Sequence, residues 1–228
     1  SEVYKRQGYR RGALNRSGVL GAILTGTLIF GWGGWDWGLL LIAFFVSSSF
    51  LSFYRAGDKV GLAEKFSKGH RRDWGQALAN GGLAALLAIC SVLWPDSLWF
   101  IAAAGALAAV NADTWATELG VLSRRAPRLI TTGRPVEVGT SGGITGQGTL
   151  ATVGGAFFIG GMGTLATWVG GADAASGGRV LLAATVGGVV GSLFDSLMGA
   201  TVQAIYWCDT CQKETERRIH RCGSETRQ

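Results

Sequence analysis

The sequence has little charge and almost no proline. Only 16% of its 228 residues are charged and 3 are proline, whereas 48% are hydrophobic and 37 are glycine. Low charge with long uncharged stretches predicts a helical membrane protein, in which glycine lets neighbouring helices pack closely. A soluble α/β enzyme with glycine-rich turns is the alternative, and the lengths of the apolar runs argue against it.

Uncharged runs long enough to cross a bilayer recur along the chain. A helix needs about 20 apolar residues to span the hydrocarbon core. The stretch 138–172 is too long for one span, so we divide it into a glycine-rich loop and a helix that begins near Thr149. The predicted fold is an all-α polytopic transmembrane bundle of about six spans, at residues 17–35, 37–54, 74–94, 97–123, 149–169 and 180–207.

Basic residues lie almost entirely on one side of this bundle. Of the 21 lysines and arginines, only Arg179 falls in a loop on the other side. The positive-inside rule therefore predicts cytoplasmic termini, in a multi-pass protein of the inner cell membrane. The net charge of +6 favours lipid headgroups or phosphates as partners, and the sequence has no basic–aromatic platform for nucleic acid. The predicted parts are a basic N-terminal segment (1–16), a transmembrane domain (17–207) with cytoplasmic loops 55–73 and 121–148, and a cytoplasmic Cys/His tail (208–228).

Two acids interrupt the fourth apolar run. A carboxylate at bilayer depth costs about 2.5–3.5 kcal/mol, so Asp113 and Glu118 are candidates for function. At about 100° per residue, Asn111, Thr114 and Glu118 share one helical face, and we take Asp113 to lie on a neighbouring stripe. Two carboxylates near an aqueous boundary suit Mg²⁺, which binds carboxylates together with substrate phosphates. Neutralisation by loop arginines and a proton relay are the alternatives.

The sixth run carries one acid in a stripe of small residues. Asp195 belongs to a four-residue repeat that ends at Gln203, and Ser196 lies beside it. The fourth and sixth spans both run towards the basic side, so Asp195 is expected at the depth of Asp113. The predicted catalytic, Mg²⁺-binding set is therefore Asp113, Glu118 and Asp195.

A loop of glycine and hydroxyl residues precedes the fifth span. Its backbone N–H groups, with a helix N-terminus behind them, suit phosphate oxygens. The loop is neither a Walker motif nor a Rossmann fingerprint, because no Gly-Lys-Ser/Thr follows and no strand precedes it; a flexible connector is the alternative. The predicted phosphate-binding residues are Arg134, Gly139, Thr140, Ser141, Gly142 and Gly143.

Three polar residues mark the basic end of the third span. Arg72, Gln76 and Asn80 recur every four residues and therefore lie on one helical stripe. This stripe is either a binding face for a polar ligand or a set of hydrogen-bonding residues that hold helices together.

The tail carries Cys208-x2-Cys211, followed by His220-x-Cys222. Thiols in the cytoplasm stay reduced, so we expect a metal site here and not a disulfide. Four soft ligands fit tetrahedral Zn²⁺, although the short His-x-Cys pair departs from zinc-finger spacing.

Five motifs together resemble those of the integral-membrane family called domain of unknown function 92. The resemblance covers residues 18–223, and residues 111–120 are its most specific part. It also leads us to expect a further hydrophobic segment after the tail. The motifs are Arg72-x3-Gln76-x3-Asn80-Gly81, Asn111-Ala112-Asp113-Thr114-x3-Glu118-x-Gly120, Gly139-Thr140-x-Gly142-Gly143, Asp195-Ser196-x2-Gly199-Ala200-x2-Gln203 and the Cys/His tail.

The best understood members of that family are plant and cyanobacterial phytyl-phosphate kinases, which are distantly similar to CTP-dependent membrane kinases of phytol and dolichol. The resemblance therefore implies an enzyme that transfers a phosphoryl group from a nucleoside triphosphate, with CTP as the expected donor, to an isoprenoid monophosphate. In that mechanism the three acids hold Mg²⁺, and the glycine loop with Arg134 binds the triphosphate. The lipid phosphate is expected at Arg72, Gln76 and Asn80, and the further substrate-binding residues are Asn111, Thr114, Ser196 and Gln203.

Transport is the competing function, because intramembrane acids among small-residue helices also describe secondary transporters and ion carriers. A carrier that uses Asp113, Glu118 and Asp195 needs a polar path to the opposite face. The outer halves of the spans, such as residues 18–30 and 97–110, are almost wholly apolar. A scaffold protein, a third alternative, would not need acids at matched depth.

Overall fold

The computed structural model shows an all-α bundle, as the sequence predicts. It describes residues 16–54, 73–203, 206–215, 219 and 222–227. A π-helical segment, Ile29–Gly33, continues the first helix. The α-helices in the described residues are α1 (Arg16–Leu28), α2 (Trp35–Phe53), α3 (Trp74–Leu93), α4 (Leu98–Gly120), α5 (Gly146–Val169) and α6 (Ala174–Thr201).

Five of these helices, α2 to α6, are long and apolar enough to cross a membrane, with 19 to 28 residues each. The first helix is shorter. It has 13 α-helical residues and five π-helical ones before Gly34, with φ of 85°, turns the chain into α2. The prediction of a polytopic transmembrane bundle is confirmed, and its first predicted span is this composite helix.

The helix ends meet in the alternating order of a membrane bundle. The Trp74 N–H at the start of α3 donates a hydrogen bond to the Ser17 hydroxyl near the start of α1 (3.3 Å). The ends of α2 and α4 meet where the Ser52 hydroxyl donates to Glu118 (2.7 Å). The described α4–α5 loop on this side carries Arg124, Arg125, Arg128 and Arg134, and we call it the basic side.

Capping residues set where α3 and α6 begin. The Asp73 carboxylate accepts from the Gln76 N–H (2.8 Å), and the Gln76 side chain accepts from the Asp73 N–H (3.1 Å), which together form a capping box. Asp173 caps α6 by accepting from the Ser176 N–H (2.8 Å), and hydrogen bonding to Ser176 lowers the pKa of Asp173.

The last helix lies earlier in the chain than the sequence suggested. We predicted a span at residues 180–207, but α6 runs from Ala174 to Thr201, and Tyr206–Cys208 is a strand. The prediction started after Arg179 because that residue is charged. Arg179 instead lies inside the first turns of the helix, where its guanidinium donates to the Ser176 hydroxyl (3.0 Å).

Small residues let α4, α5 and α6 pack closely. A Cβ on Gly155 of α5 would lie 3.0 Å from the Cα of Ala112 on α4. A Cβ on Gly188 of α6 would lie 2.8 Å from the Ala156 Cβ and 2.9 Å from the Ala108 Cβ, where all three helices meet. Close backbone approach of this kind is how helices associate in lipid. Around this core, α2 contacts α4 and α5, and α3 contacts α1 and α4.

Large apolar side chains cover the outside of the bundle. Leu150 is 76% exposed, Leu182 is 67% exposed and Phe50 is 66% exposed. Apolar exposure on this scale is unfavourable in water and suits contact with acyl chains. The bundle is therefore built with a tightly packed interior of small residues and a surface for lipid.

Two short antiparallel hairpins lie outside the helices. Strands β1 (Arg128–Leu129) and β2 (Gly143–Ile144) pair within the α4–α5 loop, with Leu129 opposite Gly143. Strands β3 (Tyr206–Cys208) and β4 (Lys213–Thr215) form the tail hairpin that follows α6.

Candidate functional site

A cavity of about 310 Å³ lies on the basic side, between the ends of α4, α5 and α6. The α4–α5 loop completes its wall. The polar groups that line it are carboxyl, hydroxyl, side-chain amide and backbone amide groups. They belong to Asp113, Thr117, Gly139, Thr140, Ser141, Gly142, Gly143, Thr145, Thr149, Thr152, Asp195, Ser196 and Gln203.

Two carboxylates lie in this cavity at matched depth. Asp113 precedes the end of α4 by seven residues, and Asp195 precedes the end of α6 by six. At about 1.5 Å per residue, both side chains lie about 9–10 Å inside the helix ends. The structure thus brings together two of the three acids that the sequence singled out.

The third acid, Glu118, does not line this cavity. Its carboxylate accepts a hydrogen bond from Ser52 of α2 (2.7 Å), on another side of α4. Five residues separate Asp113 from Glu118, which at about 100° per residue places them about 140° apart around the helix. The assumption that they occupy neighbouring stripes is therefore wrong, and a metal ion in this cavity would be held without Glu118.

The glycine loop is fixed against α6. Gly142 has φ of 74°, and a Cβ there would lie 2.7 Å from the backbone nitrogen of Ala200. The Ser141 hydroxyl donates a short hydrogen bond to the Gln203 side chain near the end of α6. The N–H of Ile130, the residue after β1, donates to the Gly142 carbonyl (3.0 Å), so the loop is also held from its other side. The loop is therefore a structured wall of the cavity and not a free connector.

The first turn of α5 lies beside this loop. Thr145 caps the helix by accepting from the Gly148 N–H (2.9 Å). A Cβ on Gly120 of α4 would lie 3.4 Å from the Gly148 Cα, so the end of α4 and the start of α5 nearly touch. This approach places the positive end of the α5 dipole at the cavity, which favours anions.

Asn111 and Thr114 were predicted as substrate-binding residues, but the structure places them among helix contacts. Asn111 is fully buried, and its side-chain oxygen accepts from the hydroxyls of Ser47 (3.0 Å) and Ser48 (3.2 Å). Its amide nitrogen donates to the Gly155 carbonyl (2.9 Å), so Asn111 joins α2, α4 and α5. The Thr114 hydroxyl donates to a carbonyl of its own helix, that of Val110 (2.9 Å).

The polar stripe on the third span also lies outside the cavity. Gln76 belongs to the capping box of α3, which gives it a structural role. Asn80 lines a separate apolar cavity of about 260 Å³ between α1, α2 and α3, beside Thr25 and Gly81. Arg72 lies outside the described residues. Of the described part of the stripe, Gln76 caps a helix and Asn80 lines this second cavity, so neither lies at the cavity that contains Asp113 and Asp195.

Arg134 is exposed and does not line the cavity. It follows the turn at Gly133, whose carbonyl accepts from the Arg128 guanidinium (2.8 Å). Among the described residues that line the cavity, none is Lys, Arg or His. No basic side chain of that described lining therefore pairs with the carboxyl groups of Asp113 and Asp195.

Several lining residues were not among the predicted site residues. Thr117 lies one turn after Asp113 on the same stripe, and Thr145, Thr149 and Thr152 line the cavity from the start of α5. The four-residue spacing from Asp113 to Thr117 is visible in the sequence and is the signal for that residue. The α5 threonines form their own spacing of four and three residues.

The donor atoms of the cavity suit a hard cation. Carboxylate, hydroxyl and backbone oxygens are the ligands of Mg²⁺, which also keeps sites for phosphate oxygens. Two acids without a basic neighbour in the described lining leave negative charge that a divalent cation would balance. The residues present therefore fit Mg²⁺, which Asp113 and Asp195 would hold.

The tail brings three thiols together. Atoms of Cys208, Cys211 and Cys222 able to bind a metal lie within 4.8 Å of one another, and none of these three described cysteines forms a disulfide. Hydrogen bonding with Cys222 raises the pKa of Cys211 to about 11. His220, the predicted fourth ligand, lies outside the described residues.

The fold and the cavity define a polytopic helical membrane protein with an acidic, glycine-lined cavity on its basic side. The chain belongs to the family described as integral membrane protein DUF92, whose family model matches residues 3–228. The resemblance noted from the sequence motifs is thus confirmed.

Similar proteins come from plants, archaea and cyanobacteria. The chain is 36% identical to protein PGR of Arabidopsis thaliana, over 93% of this chain and 80% of that protein. It is 38% identical to an uncharacterized membrane protein of Methanocaldococcus jannaschii, over 82% of this chain and 74% of that one. An uncharacterized membrane protein of Synechocystis is 33% identical, over 81% and 68% of the two chains. No solved structure matches the chain.

Proposed function

We propose that this protein is a membrane kinase that transfers a phosphoryl group from a nucleoside triphosphate to an isoprenoid monophosphate, giving the diphosphate. The observation that carries the proposal is the meeting of Asp113, Asp195 and the Gly139–Gly143 loop in one cavity on the basic side. Carboxylates that can hold a cation, next to backbone amides that can hold phosphate, are the parts that phosphoryl transfer requires.

The reaction forms one phosphorus–oxygen bond and breaks another. A terminal oxygen of the lipid monophosphate attacks the γ-phosphorus, and the nucleoside diphosphate leaves with the bridging oxygen. Mg²⁺, held by Asp113 and Asp195, would neutralise negative charge on the phosphates. The chain itself positions the reactants: loop N–H groups and the start of α5 hold the triphosphate, and the threonines beside Asp113 supply further hydrogen bonds.

The lipid substrate has access from the bilayer. Phe194 and Leu197 flank Asp195 on α6 and are 59% and 40% exposed on the lipid-facing surface. An isoprenoid chain lying in the membrane beside α6 would therefore bring its phosphate to the depth of the two acids. The choice of CTP as donor, and of a phytyl or related prenyl phosphate as acceptor, rests on the family resemblance.

The packing beyond the acids disfavours a carrier. Ala108, Ala156 and Gly188 meet about one and a half turns above Asp113 on α4, and both alanines are fully buried. This contact leaves no room for a polar path between α4, α5 and α6 towards the opposite face. Transport would require those helices to separate.

The test is a transfer assay with purified protein. Radiolabelled CTP and ATP are each incubated with a panel of prenyl monophosphates and Mg²⁺, and lipid diphosphate is measured. We expect transfer to at least one lipid and its loss in the Asp113→Asn variant, which should still insert in the membrane. No transfer to any lipid, together with ion flux in reconstituted vesicles, would contradict the proposal and favour the carrier.

A further inference from the structure

We propose that Cys208, Cys211 and Cys222 hold one Zn²⁺ that ties the C-terminal segment together, a site separate from the phosphoryl-transfer cavity. The Sγ atoms of Cys208 and Cys222 lie 3.6 Å apart, and the three ligand atoms lie within 4.8 Å of one another. A zinc ion with Zn–S bonds of about 2.3 Å separates tetrahedral sulfur ligands by about 3.8 Å. The thiols are therefore spaced as a ligand shell and too far apart for a disulfide, which needs about 2.05 Å.

The backbone around the first two cysteines forms a tight turn. The Gln212 N–H donates to the Cys208 carbonyl (2.8 Å), and Gln212 has φ of 51°. In the part of the chain that the structure describes, Gln212 is the one non-glycine residue with positive φ. This conformation costs about 1–2 kcal/mol for a residue with a Cβ. A metal ion that bridges Cys208 and Cys211 would offset that cost.

Backbone pairing returns Cys222 to this turn. Trp207 and Arg227 exchange two backbone hydrogen bonds, of 2.7 and 3.0 Å, so the residues after Cys222 run beside β3. The Thr210 and Ser224 hydroxyls are 2.8 Å apart, which closes the loop that contains Cys222. The third thiol is thus brought to the first two by contacts that do not involve sulfur.

Most of the described side chains in the tail are exposed or half-buried. Cys208 is fully buried. Asp209 and Arg227 form an ion pair, but their side chains are 60% and 71% exposed, and exposed ion pairs contribute little to stability. Small segments without a hydrophobic core commonly depend on a metal ion or disulfides. Binding of Zn²⁺ by three thiols releases three protons and adds three metal–sulfur bonds, which is folding free energy for the segment.

Metal analysis of the full chain, purified in detergent without chelators or affinity metals, tests this site. Zinc, iron and copper are measured per mole of protein by mass spectrometry. We expect about one zinc per chain, and a loss of at least fivefold in Cys222→Ser, whose exposed side chain contributes little packing. Replacement of zinc by Co²⁺ should give the thiolate-to-metal charge-transfer band of a tetrahedral sulfur site.

The matched control is Cys90→Ser, which removes a thiol of α3 and should keep the full zinc content. Wild-type protein with no bound zinc, stoichiometric iron or copper in its place, or unchanged zinc in Cys222→Ser would each overturn the site. A Cys208–Cys222 disulfide found by alkylation of anaerobically purified protein would also overturn it. None of these measurements depends on kinase activity, so the two proposals fail independently.

Discussion

Asp113 and Glu118 lie five residues apart on α4 but face different neighbours. Asp113 shares the cavity with Asp195, and Glu118 accepts a hydrogen bond from Ser52 of α2. If the cavity is where phosphoryl transfer occurs, the two acids should differ in kinetics. We predict that Asp113→Asn lowers the transfer rate by about 100-fold or more, because it removes a ligand for the cation that neutralises the phosphates. Glu118→Gln should keep the rate within about threefold.

The measurement is lipid diphosphate formed per mole of purified, folded protein, with Mg²⁺ varied. Asp113→Asn should also need more Mg²⁺ for half-maximal rate, whereas Glu118→Gln should not. Equal losses in the two variants would mean that Glu118 acts at the reacting phosphates, contrary to its position in the structure.

Asn111 illustrates how a polar residue in a motif can serve packing. Its side chain joins Ser47, Ser48 and Gly155 without any exposed surface. Asn111→Ala should lower the free energy of unfolding by about 1–3 kcal/mol, because it leaves buried hydrogen-bonding groups without a partner. Thermal unfolding in detergent measures this. Thr114→Val, which removes one bond within the helix, should change the melting temperature much less, and the reverse order would contradict these roles.

At the scale of elements, the glycine loop depends on its contact with α6. Gly142 combines a φ of 74° with a close approach to Ala200. Gly142→Ala should raise the KM for the nucleoside triphosphate by about tenfold, because relief of the clash with Ala200 and of the left-handed φ would move the loop N–H groups away from the phosphates that they are proposed to hold. Steady-state kinetics with varied triphosphate measures the effect.

Gly146→Ala is the matched control, because a Cβ at Gly146 meets no atom within 4 Å and alanine favours the start of α5. Its KM should equal that of the wild type. If Gly142→Ala left the KM unchanged while the protein stayed folded, the loop would not be the triphosphate site.

The apolar runs determine most of the helices, because a bilayer requires continuous hydrophobic length, and α3 and α4 begin and end close to the predicted residues. Counting apolar residues does not detect capping residues, so the prediction missed that α6 begins directly after its cap, Asp173. Site membership depends on rotation around each helix and on which helix packs beside it. The spacing of residues along the chain is enough to predict rotation around a helix, and it therefore predicts that Asp113 and Glu118 face different directions. Which face meets α6, and hence that Asp195 joins Asp113, is fixed by the contacts between glycines and alanines.

For the whole molecule, the cavity and the arginines of the α4–α5 loop lie on one side of the bundle, and closely packed alanines and glycines lie beyond the acids. A kinase built this way should accept its nucleotide from one side only. If the basic side faces the cytoplasm, as the positive-inside rule predicts, inverted vesicles with the cytoplasmic face outward should phosphorylate lipid when triphosphate is added outside. Intact right-side-out vesicles should show less than about a tenth of that rate and should gain full activity when detergent opens them. Equal rates in both intact preparations would mean that the triphosphate reaches the acids from the opposite face, through helices that the structure shows in close contact.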